Sequence, residues 1–367
     1  MVFEREKEFM KKEGLRALVA MSPENVAFTI GCVIPSQFFA RRRHAISIVP
    51  LDGAPTLIVA DMEEGHAKRY SSVKDIRSYR EFLLDPMDLF ADVLKEKGLE
   101  HGRIGIELTY IPAYDFERLR KKLPKVEFIE CAGLFDELYA IKNERQIATL
   151  KKVARAAEKA IKEGFETLRP GMSEYELARI MINRFYSEGG DGIRLLIVGS
   201  GERSSYPNVG PSDRIIGKGD LIRVDFIGLS EYFLSDVCRT AIVGEPNEKQ
   251  RQTWRKLVET ESKMLEIIEP GIRACDVYEA YLKVWTGFGF KPVRFIGHGL
   301  GLSTHERPLL SDFDKLVLEE GMLFCIEPLL LIPGVEGYHL EDEILITKDG
   351  YELLTDQMDT SELFVIK

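Results

Sequence analysis

The sequence predicts an α/β chain in two domains, the second assembled from two related halves. Three observations predict it. Short β-branched runs alternate with helical periods in the first part of the chain. Two matching Pro-Gly turns recur in the second part. Each turn is followed at similar distance by a strand that ends in an acid.

In the first part RALVA (16–20), HAISIVP (44–50), TLIVA (56–60), RIGIE (103–107) and VEFIEC (126–131) read as strands, because they are short, apolar and β-branched. PMDLFADVLKEKG (86–98) and YDFERLRKKL (114–123) carry helical spacing between them. The first domain is set at residues 1–136 and the second at 137–367. A long helix opens the second, with Asn143 as its N-cap and Ile147, Leu150, Ala154, Ala157 and Ile161 on one face.

LRPGMSEYE (168–176) and IEPGIRACD (268–276) both read as a helix end, a turn and a new helix start. Asp225 follows Gly171 by 54 residues, and Glu327 follows Gly271 by 56. The match predicts two α/β halves sharing one sheet.

Composition narrows the function. A chain of 367 residues can bury a large core, and 45% apolar with 30% charged residues is ordinary for a folded protein. The net charge of −10 argues against a general nucleic-acid or membrane-surface partner. No run approaches the roughly 18 apolar residues of a membrane span. The most apolar stretch, MLFCIEPLLLIPG, is interrupted by Glu327. The opening MVFEREKEFMKKEG has charges of mixed sign and reads as an amphipathic helix, not a signal peptide. Five scattered cysteines with no Cys-x-x-Cys suit a reducing, cytoplasmic setting.

The acids carry the chemistry. DLIRVDFIG (220–228) and YFLSDVCRTAIVG (232–244) read as strands around a turn at Ser230 and Glu231. That register sets Asp225 opposite Asp236, with Cβ atoms about 4.5–5.5 Å apart. LFCIEPLLLI (323–332) and YHLEDEILIT (338–347) flank Pro333 and Gly334, and this symmetry sets Glu327 opposite Glu341. Like charges so placed destabilise a sheet, and burial adds several kcal/mol. Divalent cations compensate, and oxygen donors suit Mn, Co, Zn or Mg. His298, in the glycine-wrapped IGHGLGL, is the candidate nitrogen donor, and His305 follows seven residues later in THERP. His44, His66 and His101 lie among loop or helix charges and are assigned no role.

GDLIRVDF–SDVCRT, GHGLGLSTHERP and IEP–HLED, in that order, resemble the metallopeptidase family of Xaa-Pro dipeptidases (prolidases), Xaa-Pro aminopeptidases and methionine aminopeptidases, to whose superfamily creatinase also belongs. The resemblance runs from about Asn143 to the end. The first domain, through NVAFTIG (25–31), resembles the creatinase-type N-terminal domain more weakly. It implies a pita-bread fold of two pseudo-symmetric halves after a creatinase-like mixed α/β domain. It implies a peptidase with two divalent metal ions per chain, Mn, Co or Zn. By position, Asp225 would chelate one ion, Asp236 and Glu341 would bridge both, and His298 and Glu327 would complete the other. Glu327 would exchange a proton with the attacking water, and His305 would steady the oxyanion or position the substrate. In SQFFARRRH (36–44), Phe39 and Arg41 resemble a creatinase-type pair that grips a substrate carboxylate across a homodimer.

Four positions depart from the family pattern. Asn208 stands where a His is usual, His339 where an Arg is usual, Leu329 where Gly follows Glu-Pro, and Cys238 where a Thr is usual. Asn208 and His339 fall at substrate-handling positions. The first reading is therefore a metal-dependent hydrolase of Xaa-Pro-like bonds in dipeptides or short peptides. The second is a creatinase-like hydrolase of a small carboxylated amide or amidine. The third is a non-catalytic binding protein, which the complete donor set and the acidic charge disfavour. A cationic contact from His339 is expected to fade as pH rises through its pKa.

Overall fold

The computed structural model describes residues 2–40 and 42–367. It divides into two units, Met1–Tyr139 and Ala140–Lys367.

The first unit begins with α1 (Val2–Glu13), β1 (Ala17–Ala20), α2 (Pro23–Ile30), β2 (Ile46–Pro50) and β3 (Thr56–Ala60). It continues with α3 (Glu64–Tyr70), β4 (Asp75–Tyr79), α4 (Pro86–Glu96), β5 (His101–Ile106), α5 (Ala113–Lys122), β6 (Lys125–Glu130) and α6 (Ala132–Ala140). The strands form one mixed sheet in the order β4-β3-β2-β1-β5-β6. Only the β1–β2 and β2–β3 pairs are antiparallel. Each strand read from the sequence falls in this sheet. The unforeseen β4, DIRSY, is an edge strand with only Tyr79 buried, so it carries little apolar signal. Val19, Ile46, Ile58, Phe90 and Leu94 belong to the core of this unit.

The second unit opens with α7 (Glu144–Thr167) and α8 (Glu174–Ser187), followed by β7 (Gly192–Ser200), β8 (Leu221–Ser230), β9 (Phe233–Leu234) and β10 (Val237–Val243). Its other half opens with α9 (Glu248–Leu265) and α10 (Ala274–Gly287), followed by β11 (Phe295–Gly299), β12 (Glu306–Ser311) and β13 (Leu323–Ile326). Then come β14 (Leu329–Ile332), β15 (Glu336–His339), β16 (Asp342–Thr347), β17 (Gly350–Leu353) and β18 (Phe364–Ile366).

The halves repeat each other in detail. Asn143 with Gln146 forms a capping box on α7, and Asn247 with Gln250 forms the same box on α9. Gly171 and Gly271 turn the chain with φ of 98° and 97°, a region that favours glycine. Each then donates its N–H to a later carbonyl, of Ile216 and Leu318. This is the pita-bread architecture, but the expectation of one shared sheet is corrected. The halves have separate sheets, β18-β10-β8-β7 with β9 on β8, and β12-β11-β13-β16-β17. Among the described residues a single β-bridge, Cys238 to Glu341, joins them. The reason is local: Glu341 lies between β15 and β16, where the hairpin leaves one ladder and enters the next.

β11 is packed so closely that it needs glycine. A Cβ on Gly297 would lie 2.1 Å from the Cys325 carbonyl oxygen. We expect Gly297→Ala to destabilise the protein by about 2–4 kcal/mol, since backbone must move. Gly287→Ala, whose Cβ meets nothing within 4 Å at the end of α10, is the control and should be neutral or slightly stabilising. Urea denaturation of both variants checks this; equal midpoints would contradict it.

Candidate metal centre

Partners across a sheet share a face, and so does every second residue along a strand. The ladders therefore lay the site out in rows. Ile197, Asp225 and Cys238 are in register across β7, β8 and β10. The Cys238 bridge carries the row to Glu341. The ladders β13–β16 and β14–β15 keep one common register, which sets Glu341 opposite Glu327. The row two residues away holds Gly199, Arg223, Thr240, His339 and Leu329. Thr240 ties β10 to β15 of the separate two-stranded β14–β15 sheet there: its hydroxyl donates to the His339 carbonyl and accepts from the His339 N–H, both at 2.9 Å. On the other side lies Asp236, whose N–H donates to Glu343 at 2.9 Å and whose carbonyl accepts from the Cys325 thiol at 3.7 Å.

One predicted pairing is wrong. Asp225 faces Cys238, and Asp236 is not its direct partner. The hairpin turns at Glu231 and Tyr232, one residue later than the sequence suggested. Both take positive φ, 47° and 70°, in a two-residue turn of the kind that usually advertises itself with Asn or Gly. Moving the turn centre by one residue moves the partner by two. The face is preserved, so Asp236 still reaches the Asp225 carboxylate diagonally.

The five side chains singled out from the sequence do converge. Carboxylate oxygens of Asp225, Asp236 and Glu341 all lie within 4.8 Å of one another. His298 Nε2, brought in by β11, is 3.8 Å from Asp236, 3.7 Å from Glu327 and 3.9 Å from Glu341. These separations are too long for hydrogen bonds but suit donors sharing a cation at about 2.0–2.2 Å each. Asp225 Oδ1 and Glu327 Oε1 are buried and have no hydrogen-bond partner among the described residues. Orphaned acceptors of this kind fit a cation. All five residues line a cavity of about 470 Å³.

Electrostatics support the fit. Burial raises the pKa of Asp225 and Glu327. For Asp236 and Glu341, burial and then the neighbouring carboxylates push it well above the usual range. Burial lowers the pKa of His298, so its ring stays neutral, the form a cation requires. Cys238 and Cys325 stand close enough to offer sulfur, but burial drives both thiols far above neutrality. The carboxylates and His298 are therefore the better donor set.

Beneath the acids lies a network that the sequence did not disclose. Arg239, fully buried, contacts Glu158 at 2.5 Å and Asp342 at 2.6 Å, and donates to the Glu341 carbonyl at 2.6 Å. Burial alone would lower its pKa, but Asp342 and Glu158 more than offset this and hold it charged. Its signal was a charged residue inside a strand, one position from Cys238 and facing the other way.

The remaining residues are more scattered. His305 is exposed at the cavity, its ring centroid 4.3 Å from that of His298. Asn208 and Leu329 line the same cavity, and Leu329 is the direct cross-strand partner of His339. His339 is buried with both ring nitrogens unpartnered among the described residues, and Nε2 is 3.4 Å from Glu327. Burial pushes its pKa down to about 3, so a cationic contact from His339 would fade already in acid, and the ring is neutral near pH 7. Phe39 belongs to the first unit, where its ring is 75% exposed. Arg41 lies outside the described residues.

Comparison with known proteins decides the family. Residues 148–348 match metallopeptidase family M24, and residues 3–141 match the creatinase/prolidase N-terminal domain. The chain belongs to metallopeptidase family M24. It is 31% identical to the Xaa-Pro dipeptidase of Pyrococcus horikoshii over 351 residues, 95% of each chain. The crystal structure of the prolidase from Pyrococcus horikoshii OT3 superposes with a TM-score of 0.85 at 30% identity, covering 97% of this chain and 98% of that one. The prolidase from Thermococcus sibiricus gives 0.89 at 26% identity, covering 99% and 98%. As an M24 member the protein is a metal-dependent hydrolase. No helix among the described residues is long and apolar enough to cross a membrane.

The raised acids of this M24 site make a signed prediction. Folded-state pKa values of Asp236 and Glu341 lie well above their unfolded values near 4–4.5. In metal-stripped protein they stabilise the fold fully below about pH 4, and this contribution is lost as pH rises through the folded values. Divalent cations should reverse the trend and release protons on binding. Calorimetry in two buffers of different ionisation enthalpy measures the protons, and thermal melts measure stability. Cation uptake without proton release would contradict the assignment.

Proposed function

We propose that this M24 protein hydrolyses the bond before proline, or before a proline-like residue, in dipeptides or short peptides. The carrying observation is the convergence of Asp225, Asp236, His298, Glu327 and Glu341 on one cavity. The Pyrococcus relative, an Xaa-Pro dipeptidase matched over almost the whole chain, supports the substrate class. In this reading the five side chains hold two divalent ions, of Mn, Co or Zn type. Bound there, such ions lower the pKa of a water and polarise the scissile carbonyl.

The chain's own groups do the rest. Glu327 is part-exposed to the cavity, which lets it meet a water directly. It takes a proton from the attacking water and returns it to the leaving nitrogen. His305, exposed at the same cavity, donates to the carbonyl oxygen as negative charge develops. His339, neutral and beside Glu327, can donate from one nitrogen and accept at the other. Leu329 opposite it adds apolar surface at the position where the family resemblance places glycine, and so narrows the pocket for the residue after the scissile bond.

We also infer a homodimer. Phe39, at 75% exposure, and Phe82, at 92%, sit on two loops of the first unit tied together by the Arg43–Glu81 ion pair at 2.7 Å. Leu83 and Leu84, next to Phe82 in the chain, are exposed as well. Exposed apolar clusters of this kind mark association sites.

An Xaa-Pro dipeptide assay after loading with each ion tests the activity. Glu327→Gln should cut kcat by about 10²–10⁴, the usual worth of a general acid–base. Absence of wild-type cleavage under every ion would overturn the reading and favour a small carboxylated amide. Sedimentation should give a dimer, with Arg41→Ala raising KM and leaving metal content unchanged; a fully active monomer would reject the dimer.

A further inference from the structure

Arg223 is the feature that the site described so far does not use. It is 1% exposed, yet it lies on the wall of the cavity. It stands two residues before Asp225 on β8, in the row that also holds His339 and Leu329. A buried arginine inside a strand needs partners, and most of its donors have them. Nε donates to the Ser204 carbonyl at 3.0 Å, and Nη2 donates to the carbonyls of Tyr206 at 2.5 Å and Pro207 at 2.7 Å. These bonds fix the loop that ends in Asn208. Nη1 is different. It forms no hydrogen bond among the described residues, and its nearest charged neighbour is Asp225 Oδ2 at 3.8 Å.

We propose that Arg223 Nη1 binds the free C-terminal carboxylate of the substrate, which makes the protein a dipeptidase and not an aminopeptidase of longer chains. The proposal rests on the peptidase reading above. Three observations carry it. The first is the cation with free donors on the cavity wall. A guanidinium whose plane is held by three carbonyls is already oriented, so little is lost in ordering it around a carboxylate. The second is charge. The four acids would balance two divalent ions, which leaves Arg223 as an unmatched positive charge in the buried part of the cavity. Arg194, the other arginine of the lining, is exposed. A zwitterionic dipeptide presents its one negative group to that charge. The third is position: Nη1 sits 3.8 Å from Oδ2 of Asp225, within about one residue length of the acids that would hold the ions, which is the reach from a scissile carbonyl to the C-terminus of a dipeptide.

His339 completes the arrangement. It lies in the same row as Arg223, with Thr240 between them, and both its ring nitrogens are unpartnered among the described residues. Its ring offers a carboxylate one hydrogen bond, and the fixed charge comes from the guanidinium of Arg223. The guanidinium expected at position 339 has in effect moved two strands away along the same row. A longer peptide offers an amide in place of the carboxylate at this point, and the amide leaves the buried cation without a counter-ion.

The test compares an Xaa-Pro dipeptide with its C-terminal amide, in wild type and in Arg223→Gln and Arg223→Lys. The readout is the ratio of kcat/KM for acid over amide, with metal content measured in each sample. We expect a wild-type ratio of at least about 50, near 3 in Arg223→Gln and intermediate in Arg223→Lys, where the charge persists without its orientation. Proline and prolinamide binding to metal-loaded protein, followed by calorimetry, should show the same order without turnover. A wild type that cleaves acid and amide equally overturns the proposal while leaving the peptidase reading intact. So does a ratio that survives Arg223→Gln, and so does a fall in both substrates alike, which assigns Arg223 to loop-holding alone. A wild type that cleaves neither substrate with every ion loaded overturns the peptidase reading itself. If Arg223→Gln fails to fold, the wild-type ratio and the Arg223→Lys ratio decide.

Discussion

Mutual repulsion among four buried carboxylates is the constraint to which the second unit is fitted. Asp225, Asp236, Glu327 and Glu341 share one cavity wall, and burial penalises the charge of each. No hydrophobic packing offsets that cost. The compensation must come from positive charge, from protons, or from both. The protein's own cations are placed at one remove: Arg239 holds the Glu341 carbonyl from beneath, and Arg223 stays 3.8 Å from Asp225. Neither guanidinium makes a hydrogen-bonded ion pair with the four acids. An arginine closer in would satisfy the carboxylates and take the place a cation could fill. As it stands, the acids are held near neutralising charge, with Asp225 Oδ1 and Glu327 Oε1 left without a hydrogen-bond partner among the described residues.

The pseudo-symmetry of the fold supplies these acids economically. Each half uses the same capping box, the same glycine turn and, further along, a hairpin that carries two acids. One hairpin delivers two aspartates and the other two glutamates. The longer glutamates come from the half where the chain passes between two ladders, at the Cys238–Glu341 bridge. His298 enters from β11, between β12 and β13, and that strand can approach only because Gly297 and Gly299 carry no Cβ. The sheet junction, the missing side chains and the nitrogen donor are one device. Each brings a donor to a point that both sheets can reach.

Much of this was legible, and the reasons differ from residue to residue. Asn143, the Pro-Gly turns and the Glu327–Glu341 register were readable because capping, turns and two-residue alternation are local rules. The partner of Asp225 was not. Glu231 and Tyr232 adopt positive φ without the Asn or Gly that would mark the turn, so the register slipped by one pair while the face stayed right. β4 escaped notice because an edge strand exposed to solvent has no apolar pattern. Arg239 and its partners Glu158 and Asp342 come from three distant segments. Charged residues with no local partner look alike in a sequence whether they end up paired in the core or solvated. Arg223 did leave a trace: it has the same parity as Asp225 in an otherwise apolar strand, which puts both on one face.

Row order explains how the departures at positions 329 and 339 coexist with an intact donor set. Three of the acids lie along the row Asp225, Cys238, Glu341, Glu327, and the residues proposed to meet the substrate lie along the row Arg223, Thr240, His339, Leu329. Two residues of strand, about 6.6–6.8 Å, separate the rows. Side chains in neighbouring rows touch, but backbone positions in one do not depend on identity in the other. Arginine, histidine and leucine can therefore be exchanged along the recognition row while the acids keep their register. The coupling that remains is electrostatic, since a cation in the recognition row acts on Asp225 across 3.8 Å. A guanidinium on β8 and a guanidinium on β15 are equivalent in charge but stand at different places along the row. Moving it leaves the net charge of the cavity unchanged and changes which end of the substrate-binding wall is positive. Specificity can change in this fold without rebuilding the reactive centre, provided the charge stays in the row.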